Sequence, residues 1–110
     1  MRYILDTDVL SETRRRNGND AVRSFVRSLS AEQIYLSVIT LGEVEATMDG
    51  RILPVTTAIA HRWGEMSSDR TRPVTDTLIA ATASVHDLTV VTRNERDYRD
   101  LGVRVINPWR

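Results

Sequence analysis

At 110 residues the chain has the length for one hydrophobic core and no room for a second. Its 41% of hydrophobic residues fits a water-soluble fold, no apolar run reaches the roughly 20 residues of a membrane span, and the absence of cysteine excludes disulfides, thiolate metal sites and cysteine nucleophiles. Fifteen basic residues balance fifteen acidic ones, so attraction to nucleic acid must come from local patches; every one of those cations is arginine, which removes mechanisms that need a catalytic lysine. A single domain over 1–110, with no signal-peptide pattern, is expected in a reducing cytoplasm.

Residues 2–5 read as a short buried strand, followed by about two turns of helix over 8–15. The stretch N-G-N-D at 17–20 is a turn, with Asp20 placed to cap a helix over 21–29. That helix carries Val22, Phe25, Val26 and Leu29 on one face. I-Y-L-S-V-I at 34–39 is β-branched and aromatic, hence a strand. A helix starts at Thr40 and stops at Asp49-Gly50, and residues 52–55 form a short extended piece. Helices over 57–67 and 75–86 follow, separated by a polar loop. Strand 88–91, a loop or short helix, and strand 103–106 complete the chain. Alternating strands and helices predict an α/β sandwich, a small parallel sheet covered by helices.

In such folds ligands bind beyond the carboxyl ends of the strands. Asp6 ends the first strand, Glu43 and Asp76 lie in first turns of helices, and Asp97 follows the strand at 88–91. Each acid has a structural alternative: helix cap for Asp6, capping box with Thr40 for Glu43, macrodipole partner for Asp76, loop acid for Asp97. Topology would bring all four to one sheet edge. Clustered carboxylates repel, and hard divalent ions such as Mg²⁺ or Mn²⁺ are their natural partners. Such ions serve phosphodiester cleavage.

The blocks L-D-T-D-V-L-S-E, L-S-V-I-T-L-G-E, D-T-L-I-A-A-T-A and V-T-R-N-E-R-D-Y, with the terminal G-V-R-V-I-N-P-W, resemble in order the signature blocks of PIN-domain ribonucleases. The likeness is greatest to the VapC toxins of VapBC toxin–antitoxin pairs. This resemblance implies a PIN-like α/β/α sandwich and a Mg²⁺- or Mn²⁺-dependent endoribonuclease acting on RNA, often tRNA or rRNA. It further implies a homodimer, and a VapB-like antitoxin that inserts a basic side chain into the acidic site. By position the metal-binding and catalytic acids would be Asp6, Glu43, Asp76 and Asp97, with Thr7, Thr92 and Asn94 as supporting polar groups. Two features depart from the pattern. Asp8 stands where the family usually has asparagine, either strengthening metal binding or only starting a helix. Between Met48 and Leu53 the usual middle helical pair is reduced to D-G-R, which bears on the dimer and the RNA groove.

Arg93, Arg96 and Arg99 surround the fourth block and could hold RNA phosphates. Arg14, Arg15 and Arg16 form either a phosphate contact or a solvated helix end. His61 and His86 belong to no metal-spaced pair, Trp63 is expected in the core, and Trp109 at its edge. Two other readings stand beside the nuclease. A shortened PIN fold could bind antitoxin or RNA without cutting. The Asp-x-Asp of residues 6–8 also suits a haloacid-dehalogenase-like phosphatase, but that chemistry uses a lysine.

Overall fold

Tyr3–Leu5 forms β1, in the middle of a sheet whose strands all run parallel. The computed structural model describes residues 1–37 and 52–110. Glu43, the helix expected from Thr40, and the shortening between Met48 and Leu53 lie outside the described residues. In chain order β1 is followed by α1 (Thr7–Arg14), α2 (Asp20–Arg27), a 3₁₀ turn (Ala31–Gln33) and β2 (Ile34–Ser37). Then come β3 (Ile52–Leu53), α3 (Thr57–Met66), α4 (Val74–His86), β4 (Thr89–Val91), α5 (Glu95–Tyr98) and β5 (Val105–Ile106).

The five strands stand in the order β3-β2-β1-β4-β5. The chain builds outward from β1 to β3, then crosses back to lay β4 on the other side of β1. The winding therefore reverses between β1 and β4, where Ile4 pairs with Val90 and Leu5 with Val91. In open α/β sheets that reversal leaves a crevice beyond the strand ends.

Alternation along the strands sends Ile4 and Val90 to one face, Leu5 and Val91 to the other; all four are buried. The first face packs against Ile59 and Met66 of α3 and Ile79, Ala80 and Ala83 of α4. The second gathers Val9, Val22 and Leu36, with Phe25 and Trp109 at its margin. Trp63 packs against the first cluster and Trp109 against the second, as their positions suggested. With helices on both faces, very short strands suffice because each residue is buried on one side or the other.

Helix boundaries follow the local chemistry. The cap of α2 is Asn19, not Asp20: the Asn19 side chain accepts from the amide of Val22 at 3.1 Å, and Asp20 occupies the first turn. The preceding turn is closed by Glu12, buried at 8% exposure, whose Oε2 accepts from the Asn19 amide at 2.7 Å. Its other oxygen faces Arg15 at 3.3 Å. Gly18 fits there because a Cβ would run into the carbonyl oxygen of Glu12.

Candidate active site

Asp6 leaves β1 still paired to the sheet, its amide donating to the carbonyl of Val91 at 2.9 Å. Its side chain then turns back as the cap of α1, Oδ1 accepting from the Thr7 amide at 2.7 Å. Oδ2 accepts from two buried hydroxyls, Thr92 Oγ1 at 2.8 Å and Tyr98 OH at 3.0 Å. Asp6 is thus held by α1, by the residue after β4 and by α5. The capping role expected of an isolated aspartate is real, and it occupies only one of the two oxygens.

Thr92 is fully buried, and besides donating to Asp6 it accepts from the amide of Asn94 at 3.0 Å. That bond shapes the turn from β4 into α5. Asp8 sits in the first turn of α1, as a helix-start acid would, yet its Oδ2 reaches across to the Arg93 amide at 3.0 Å. The Thr92 hydroxyl lies 3.4 Å from the same oxygen. Burial and the neighbouring charge of Asp6 push the Asp8 carboxyl up to about 6, against the lowering effect of the Arg93 amide.

Asp76 lies in the first turn of α4 and Asp97 in α5, both half-buried. Burial, a hydrogen bond with Asp97 and the charges of Asp6, Asp97 and Asp8 push Asp76 up to about 7. A carboxyl crowded by other acids keeps its proton more readily than one standing alone. Three of the four acids expected at the sheet edge, Asp6, Asp76 and Asp97, therefore meet there together with Asp8. Glu43 lies outside the described residues.

Tyr98 is a neighbour of Asp6 that the residue pattern does not reveal. In R-D-Y it stands only as an aromatic at the end of a block, and nothing in the spacing points its hydroxyl at Asp6. Burial and the charges of Asp6 and Asp76 push its phenol upward, so it serves as a neutral donor.

The arginines divide. The guanidinium of Arg93 lies over the Trp109 ring, 5.3 Å from its centre. Arg93, Arg96 and Arg99, with Arg110, line an open recess of about 490 Å³ that reaches Asp97. Arg14, Arg15 and Arg16 close the far end of α1 from Asp6, where Arg15 pairs with Glu12. His61 is exposed and His86 half-buried on α4.

The donors suit a hard cation. They are all oxygen, Asp76 carries its charge poorly among its neighbours, and Asp8 Oδ1 is buried with no hydrogen-bond partner among the described residues. Among the described residues no three acids stand close enough together to hold a metal ion by themselves.

Residues 45–103 match the family model of the PIN domain. This chain belongs to the PIN-domain family. Toxins are among its relatives in that family. The FitB toxin of Neisseria gonorrhoeae is 31% identical, over 96% of this chain and 97% of its own length. A VapC ribonuclease of Sinorhizobium fredii is 27% identical over 96% of each. The solved structure of FitAB bound to a DNA fragment matches this PIN domain with a TM-score of 0.91 at 30% identity, covering 98% of this chain and 96% of the other. The sequence comparisons run over 135 positions against a chain of 110, so these relatives carry a stretch without counterpart here.

Proposed function

We propose that this PIN domain is the toxin of a toxin–antitoxin pair, a Mg²⁺- or Mn²⁺-dependent endoribonuclease that hydrolyses RNA phosphodiester bonds at the acidic sheet edge. The observation that carries the reading is the convergence at the β1–β4 crevice. Asp6 is locked there by three hydrogen bonds from separate elements, beside Asp8 and the Asp76–Asp97 pair. Asp6, Asp76 and Asp97, completed by Glu43, would hold the divalent ion. Bound there, the ion supplies charge stabilisation at the phosphate and an acidified water.

The remaining work falls to the protein's own groups. Thr92 and Tyr98 fix the Asp6 carboxylate so that it needs no reorganisation when substrate arrives. Arg96 and Arg99 present charge to RNA phosphates along the recess that reaches Asp97, while Arg93 braces Trp109. A VapB-like antitoxin would silence the site by placing a basic side chain among the same acids. A homodimer is the assembly the family resemblance implies, and a chain without cysteine suits a reducing cytoplasm; among the described residues no helix is long and apolar enough to cross a membrane.

The test is RNA cleavage with Mn²⁺ or Mg²⁺ by wild type, Asp6→Asn and Asp76→Asn. Ion-dependent cleavage by wild type alone is expected. The shorter length relative to the toxins it resembles favours a second reading, a PIN fold that binds antitoxin or RNA without cutting. Its signature would be antitoxin or RNA binding with no cleavage under any ion.

A further inference from the structure

The two oxygens of Asp8 are in different states. Oδ2 is anchored by the Arg93 amide at 3.0 Å and lies 3.4 Å from the Thr92 hydroxyl. Oδ1 is buried and, among the described residues, has no hydrogen-bond partner, the Val9 amide only favouring the charged form of the carboxyl. Buried polar atoms in folded proteins are nearly always paired, so an orphaned carboxylate oxygen calls for an explanation. Asp6 makes the contrast: Thr7 occupies one of its oxygens, and Thr92 and Tyr98 together occupy the other. The same Thr92 hydroxyl approaches both side chains, which fixes the two carboxylates relative to each other. Asp8 therefore has the less committed oxygen of the two, in a side chain whose other oxygen already sets its direction.

We infer that Asp8 is itself a ligand of the divalent ion, through Oδ1, so that this domain offers one carboxylate more than the four acids of its sequence blocks. The inference rests on the metal-dependent reading above. The competing role for Asp8 is a strut that pins the Arg93 amide and contributes nothing to ion binding.

Asp8→Asn separates the two, since asparagine keeps an acceptor for the Arg93 amide and loses the charge. Mn²⁺ is titrated calorimetrically into the full chain for wild type, Asp8→Asn and Asp6→Asn, and each is melted with chelator and with Mn²⁺. As a ligand, Asp8 gives a variant whose Mn²⁺ affinity falls about tenfold or more, whose Mn²⁺-induced rise in melting temperature shrinks, and whose melting in chelator is unchanged or higher. Asp8→Ser, smaller but still an acceptor, serves the same comparison should the asparagine variant fail to fold. Mn²⁺ affinity equal to wild type in the Asp8 variants, with binding abolished in Asp6→Asn, overturns the ligand role and leaves the nuclease reading standing. A wild-type chain that binds no Mn²⁺ overturns both.

Discussion

Removing the Tyr98 hydroxyl leaves Asp6 Oδ2 with one donor where it had two, on a carboxylate only 4% exposed. Tyr98→Phe should cost about 1–3 kcal/mol of stability, the usual loss when a buried charged acceptor gives up a donor. Urea unfolding of the variant against wild type measures it. The Asp76 carboxyl gives a prediction of opposite habit to most acids. It is raised from 3.8 to about 7, so the folded state holds its proton more tightly than the unfolded state does. Its contribution to stability is complete below the unfolded value and is lost as pH rises through about 7. In chelator, the melting temperature should fall across that window, and Asp76→Asn should flatten the fall. A midpoint that rises steadily from pH about 4 to pH about 7 would show that Asp76 is not crowded by its neighbours as described.

Short elements ending on polar residues build this site, and their boundaries can be tested one side chain at a time. With Asn19 as the cap of α2, Asn19→Ala should lose about 1 kcal/mol. Asp20→Ala, which removes only a first-turn charge, should lose a few tenths to about 1 kcal/mol. Thermal or urea denaturation of the pair ranks them, and the reverse order would restore Asp20 as the cap. Gly18→Ala, forcing a methyl group toward the Glu12 carbonyl, should lose about 1–3 kcal/mol in the same measurements. The turn N-G-N-D was legible from composition; which of its residues did the capping was not. Asparagine and aspartate cap equally well, and the choice fell to whichever Cα came to rest one residue ahead of the first helical turn.

At the scale of the whole molecule, the reversal of winding between β1 and β4 turns scattered residues into one surface. If the recess lined by Arg96 and Arg99 holds phosphates, the double variant Arg96→Ala/Arg99→Ala should bind single-stranded RNA more weakly. The slope of log affinity against log salt should become shallower by about 0.7 for each phosphate that the variant no longer neutralises. Filter binding over a range of salt concentrations reads this directly, and an unchanged slope would move the RNA path elsewhere.

The order of strands and helices could be read from the chain because buried elements select their residues: I-Y-L-S at 34–37 is β-branched and aromatic, and Val22, Phe25 and Val26 recur at helical spacing. Which acids would meet was legible too, since Asp6, Asp76 and Asp97 sit where elements end and topology brings such ends together. Relations between distant residues have no period and leave no such trace. The 86 positions between Asp6 and Thr92 and the 92 between Asp6 and Tyr98 close only when β4 is laid against β1 and α5 folds over it. Likewise Asp8, by residue type a helix-start acid, acquires its partner at Arg93 and its unpaired oxygen only from that closure. Sequence alone determined which acidic side chains the sheet edge carries. The tertiary structure decided which oxygens are committed to the fold and which are left over, because hydrogen bonds form by proximity in space and not by neighbourhood along the chain.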